Sequence, residues 1–172
     1  MADVPSGART HGAVARSLHV LATSSDRYRA AMAHAFGLGS TDVVALVEIG
    51  RRPGLRPGEL ARTLGLGVGG TSSVVDKLVR AGHVVRGPDP DDRRGVNLHL
   101  TDSGREAFAS IADAVDATLD GALGDDVDHA PAVELLGRIA AAFDASGPDV
   151  AAAARQDGHR PAPADPTAQE PS

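Results

Sequence analysis

The chain of 172 residues has no cysteine, no tryptophan, one tyrosine and three phenylalanines. Without cysteine, disulfide bonds and thiol redox sensing are both excluded. With so few rings, any core must be aliphatic and rich in alanine. No apolar run approaches the roughly 18 residues of a membrane span. The opening residues, Met1 to Ser6, lack a basic and then apolar leader pattern. Both absences point to the cytoplasm. The lone lysine beside sixteen arginines, with abundant Ala, Gly and Val, reads as coding bias and says little about function.

Signs of catalysis are missing as well. The seven histidines are scattered, with no H-E-x-x-H and no close pairing, so no metal site is expected. No serine lies in a G-x-S-x-G elbow. An enzyme, such as a small hydrolase or transferase, is therefore disfavoured. Gly65, Gly67 and Gly70 match the dinucleotide fingerprint G-x-G-x-x-G, but that fingerprint needs a strand before it, and Leu60 to Leu64 is helical in pattern. A phosphate-binding loop fails too, because Thr71 rather than Lys follows Gly70. No cofactor is expected, and a glycine-rich turn between helices is the simpler reading.

What is present is concentrated between residues 57 and 104. Pro57 suits a first helical position and Gly65 the residue past an end, with Leu60, Ala61 and Leu64 on one face between them. After a turn, Thr71 to Gly82 reads as a second helix, with Val74, Val75, Leu78 and Val79 as its apolar stripe and Gly82 closing it. Asp89, Asp91, Asp92, Arg93 and Arg94 then form an acidic, arginine-tipped turn, bounded by Gly87, Pro88, Pro90 and Gly95. Val96, Leu98 and Leu100 alternate with Asn97 and His99, so the first three should be buried and the other two wet. His83 is expected on the inward face of the preceding strand. Thr101 or Asp102 can accept hydrogen bonds from free amides of a following helix. Two short helices about a tight turn, then strand, arginine tip and strand, describe a winged helix-turn-helix. A hairpin tip with two arginines suits a DNA minor groove. A solvated charged loop is the alternative.

These residues resemble the MarR (multiple antibiotic resistance regulator) family of transcription factors. The resemblance rests on Gly58, Glu59, Leu60 and Ala61 with Leu64, Gly65 and Leu66, and on Val75, Asp76, Lys77 and Leu78 with Ala81 and Gly82. The wing from Asp89 to Arg94 and the helix start from Leu100 to Gly104 complete the set. It is firm from about Ser40 to Ile111, weaker in the flanking helices, and absent beyond about Asp144. It implies a homodimeric, DNA-binding regulator, typically a repressor relieved by a small ligand.

Charge is consistent with this. The net charge is −6, yet residues 51–105 hold ten Arg/Lys and six Asp/Glu, a balance of +4, which leaves −10 on the remainder. A basic module thus sits in an acidic frame. Acidic flanks facing away from DNA cost little at physiological salt, where screening acts within roughly 8 Å.

The flanks read as helices, giving a mostly α fold with a small β-hairpin wing. Val14, Leu18, Leu21, Tyr28, Met32 and Phe36 recur every three or four residues. Ser40 or Thr41 can cap a helix carrying Val43, Val44, Leu46, Val47 and Ile49, and ending near Gly50. Phe108, Ile111, Val115 and Leu119 form another stripe, and Val133, Leu136, Ile139 and Phe143 a last one. Pairing the terminal helices of two subunits buries such stripes economically, as in the family; packing within one chain is the alternative. The expected organisation is a flexible N-terminus over 1–9 and a single domain over 10–145. Within that domain, 40–105 is the winged helix-turn-helix and 10–37 and 106–145 are dimerisation helices. A proline-rich, disordered tail covers 146–172, with Val150 to Arg155 able to extend a helix briefly.

A dimer of this kind places two recognition helices in successive major grooves of a pseudo-palindromic operator. Gly70, Thr71, Ser72 and Ser73 at the helix start are expected at bases or phosphates, and Lys77 and Arg80 at phosphates. Arg94 is expected in the minor groove, with Arg93 as the alternative; by the family's pattern, Asp92 holds the wing tip by pairing with an arginine. One departure from the family stands out: no arginine lies between Val68 and Ser73, so bidentate guanine readout is not available there. Either the glycines let the backbone come close to DNA, or the wing and DNA shape carry more of the specificity. A winged-helix interaction module with weak or lost DNA binding is the alternative function. The family's ligand pocket lies between dimer helices and winged module; by position His19, Arg27, Tyr28, Val44 and Glu48 would line it.

Overall fold

The computed structural model describes residues 6–89, 95–124 and 128–156. Their elements follow in the order α1 (Ser6–Ala35), α2 (Ser40–Arg51), α3 (Pro57–Leu64), α4 (Val68–Arg80), β1 (Val84–Pro88), β2 (Val96–Leu100), α5 (Asp102–Leu123) and α6 (Ala130–Gln156). The mostly helical fold with one hairpin is the expected one. Two boundaries differ. α1 begins at Ser6, inside the stretch expected to be flexible. α6 runs ten residues past the start of the proline-rich region, because the alanines from Ala151 to Ala154 favour helix. Among the described residues no single helix is long and apolar enough to cross a membrane.

Helix ends are set by short polar contacts. α2 starts after Gly39, whose N–H donates to the Asp42 carboxylate at 3.0 Å. Asp42, rather than Ser40 or Thr41, therefore satisfies that end. α3 begins with Pro57 at its first position, and the Glu59 carboxylate accepts the Arg56 N–H at 3.0 Å. Gly65 closes α3 with φ +64°, a left-handed conformation that a side chain disfavours. α4 starts three residues earlier than the apolar stripe suggests. The Gly67 carbonyl accepts both the N–H and the hydroxyl of Thr71, at 3.0 and 3.1 Å. Val68, Gly69 and Gly70 are thus a helical first turn. The sequence hides this because each glycine costs about 1 kcal/mol of helix propensity.

The core is aliphatic, as the lack of rings requires. Leu46, Ile49, Leu60, Leu78, Leu98 and Val75 are its largest fully buried side chains, drawn from α2, α3, α4 and β2. β1 and β2 pair antiparallel with Val84 opposite Leu100 and Arg86 opposite Leu98. Leu98 also bridges back to Leu55, donating to its carbonyl at 3.0 Å. The hairpin is thereby fastened to the α2–α3 connection.

Alternation in β2 only partly holds. Leu98 is buried, but Val96 is 41% exposed and Asn97 is 7% exposed. Asn97 stands in register with Gly87, which has no side chain to cover that face. With its amide nitrogen turned inward, it donates to Gly54 O and Asp89 Oδ2, each at 3.3 Å. A satisfied polar group can be buried at little cost, so Asn97 lies inside although the alternation places it on the wet face. His83 precedes β1 rather than lying in it, with Nδ1 3.2 Å from Ser103 Oγ.

The wing's exit is tied down by Thr101. Its hydroxyl donates to Gly82 O at 2.6 Å and accepts the Gly104 N–H at 3.0 Å, capping α5. Gly104 is buried, and a Cβ there would drive into the His83 carbonyl oxygen. Further along, the Tyr28 hydroxyl of α1 reaches Ala114 O at 2.9 Å on α5. Val14, Val20 and Leu21 of α1 and Val115 and Leu119 of α5 stay exposed. α6, considered by itself, also exposes Val133, Leu135, Leu136 and Phe143.

Gly104→Ala should therefore destabilise the protein by about 3 kcal/mol, the upper end for overpacking. Gly58→Ala, at a helical position with open space around it, should be neutral or stabilise by up to about 1 kcal/mol. Thermal denaturation of the two variants checks this, and equal midpoints would show that the helix–turn contact at Gly104 is not close.

Candidate nucleic-acid interface

A helix turns by about 100° per residue, so the residues of α4 divide cleanly between faces. Thr71, Val74, Val75 and Leu78 are buried against the core. Gly69, Ser73, Asp76 and Arg80 follow one another along the opposite, solvent-facing side, with Ser72 beside them. Of the expected DNA-contacting residues, Gly70, Ser72 and Ser73 are exposed, although Gly70 is turned toward Leu66. Thr71 is corrected: at 2% exposure, with its hydroxyl on Gly67 O, it is a packing and capping residue and does not face out. Lys77 is half exposed and leans toward α2, its Nζ 4.0 Å from Asp42 Oδ2. Asp92, Arg93 and Arg94 lie outside the described residues.

Two ion pairs that the sequence reading missed lock this surface together. Asp76 Oδ1 of α4 accepts from Arg86 Nη2 of β1 at 2.8 Å, both side chains being about half exposed. The pair braces the outward helix against the wing. Asp89, at the end of β1, has a side chain only 1% exposed, and its Oδ2 accepts from Arg56 Nε at 2.6 Å. Arg56 precedes α3, so this pair joins the wing's base to the first helix of the motif. No spacing rule signals either contact, since the partners are ten and 33 residues apart. The acidic turn pattern drew attention to Asp89, but only as a surface charge.

A cavity of about 290 Å³ opens between α1, α2 and α5. Tyr28, Val44 and Glu48 line it, as expected by position. His19 and Arg27 do not. His19 lies more than one turn before Ser25, the nearest lining residue of α1, and Arg27 is on the far side of the helix, donating to Ser24 Oγ at 3.2 Å. Arg29 and Arg51 line the cavity instead, so it is apolar with two cationic groups at its edge, beside the Glu48 carboxylate.

Residues 36–95 match the model of the MarR family. The chain is 37% identical over 76 residues to the uncharacterized HTH-type transcriptional regulator YcgE of Bacillus subtilis, covering 44% of this chain and 49% of YcgE. It thus spans about half the length of that curated relative. Its fold is similar to a MarR protein from Peptoclostridium difficile (TM-score 0.65, 22% identity, 80% of this chain and 91% of that one). It is also similar to FabT of Streptococcus pneumoniae, solved in complex with DNA (TM-score 0.62, 18% identity, 81% and 99%).

The Arg56–Asp89 pair is unequal in burial, and its two halves should respond unequally. Arg56→Met removes the guanidinium from a buried carboxylate and should cost about 2 kcal/mol, less than a fully buried pair because Arg56 is 52% exposed. Asp89→Asn leaves Arg56 half in water and should cost about 1 kcal/mol. Urea denaturation of both variants measures the difference, and the reverse order would contradict the burial assigned to Asp89.

Proposed function

We propose that this chain, whose residues 36–95 match the MarR family model, is a transcriptional regulator that binds a pseudo-palindromic operator in double-stranded DNA as a homodimer, represses from there, and is released by a small-molecule effector. The observation that carries this reading is α4. It exposes a face of short side chains from Gly69 to Asp76, with Asp76 held by Arg86 of the wing, in the basic stretch of an otherwise acidic chain. Such a helix can lie deep in a major groove while Arg80 and the helix N-terminus meet phosphates. Arg93 and Arg94 follow the base of the wing and are assigned to the adjacent minor groove, with Asp92 holding them.

The dimer is supported by apolar surface that one copy leaves open. Among the described residues, Val14, Val20 and Leu21 on α1 and Val115 and Leu119 on α5 stay partly exposed, and a symmetric pair buries the same patch on both copies. The cavity beside Tyr28, Val44 and Glu48 supports an effector. Such a ligand releases DNA only by binding the DNA-free conformation better, since differential affinity alone shifts the equilibrium.

Fluorescence anisotropy against the upstream intergenic DNA of its own gene and a scrambled duplex, over a range of salt, tests the reading. We expect saturable preference for the intergenic duplex and a negative salt slope. Arg93→Ala and Arg94→Ala should each weaken binding to every sequence and lower that slope by about one. Absence of binding to any duplex would favour a protein-interaction module instead. Separately, Leu119→Glu should convert a dimer into a monomer in light scattering at micromolar concentration; an unchanged mass would remove this surface from the interface.

A further inference from the structure

The outward stripe of α4 ends its glycine and serine run on a carboxylate. Asp76 follows Ser73 by three residues and Gly69 by seven, so it sits near the middle of the face assigned to the groove. An acidic side chain facing DNA is unfavourable unless it has a partner in the free protein and a donor in the complex. The structure supplies the first: Oδ1 accepts from Arg86 Nη2 at 2.8 Å, while the side chain stays 54% exposed. That contact offsets the charge against phosphate and fixes the carboxylate's direction, leaving Oδ2 for a donor from outside. Asp is short, so it reaches a base only if the helix backbone comes close. The residues beside it on the outward face allow this, since a Cβ at Gly69 would meet nothing within 4 Å and Ser72 and Ser73 are small. Among base edges in the major groove, the donor that pairs with a carboxylate is the cytosine N4 amino group.

We infer that Asp76 is a specificity-determining residue that accepts a hydrogen bond from the N4 amino group of one cytosine in each half-site, with Arg86 as its positioning residue. The inference rests on the DNA-binding reading above and names the base-reading group that the arginine-free helix start otherwise lacks.

The test is selection from a duplex pool with about 20 randomised base pairs, followed by anisotropy on the enriched duplex and on a scrambled one. The wild-type protein should enrich a two-fold motif with cytosine at one position per half-site. Asp76→Ala should lose preference at that position alone, bind the enriched duplex about tenfold more weakly, and bind the scrambled duplex as well as or better than wild type, because a negative charge has left the interface. Asp76→Asn should move the preference from cytosine to adenine, whose N6 and N7 suit an amide. Arg86→Met should blur the same position. A purely structural brace would lower the affinity of Asp76→Ala for both duplexes together and leave its motif unchanged; that result overturns the assignment while leaving DNA binding intact. If wild type enriches no motif, the DNA-binding reading and this one fall together. Thermal melts of each variant separate loss of fold from loss of readout.

Discussion

Leu46, Leu60, Leu78 and Leu98 are fully buried where α2, α3, α4 and β2 converge, and the rest of the structure depends on that aliphatic contact. Each fully buried leucine contributes on the order of 1.5–3 kcal/mol by leaving water. With no ring among the fully buried residues, branched side chains must interlock closely to reach interior density. That requirement fixes the rotation of α4 about its own axis. Once Val74, Val75 and Leu78 point inward, Gly69, Ser73, Asp76 and Arg80 must point out. The composition of the outward side is thus a consequence of core packing.

The wing is positioned by polar contacts laid over this core. Leu98 hydrogen-bonds to Leu55, Asp89 pairs with Arg56, Arg86 pairs with Asp76, and Thr101 binds the Gly82 carbonyl. Each contact joins the hairpin or its exit to a different part of the module. A two-stranded hairpin is marginal in water by itself, so these attachments are what give its base a defined direction. They also tie the wing to the outward face of α4, through Arg86 and Asp76.

Reading the sequence located the elements well where a period or a turn residue marked them. The stripes of α2 and α4, the closing glycines Gly65 and Gly82, and the cap at Thr101 all lie in the local pattern. The beginning of α4 was missed because glycine weakens the helical signal at Gly69 and Gly70, while the Gly67 carbonyl that holds Thr71 leaves no mark in composition. Asn97 was placed on the wet side by a period-two rule that cannot register its partners Gly54 and Asp89. At the cavity, Tyr28, Val44 and Glu48 were found by analogy of position. Arg27 was named by position as well, but the helical phase turns it away and presents Arg29.

The sequence by itself determined the winged helix-turn-helix, because amphipathic periodicity and turn chemistry act over a few residues. It also determined the basic stretch and the absence of thiol chemistry, which are matters of composition. Only the tertiary structure decided which short polar residues of α4 face outward, which acidic residues are paired, and which position in β2 goes inside. Those outcomes depend on contacts between residues ten to 33 positions apart, and on how tightly the leucines pack, quantities that no local pattern encodes.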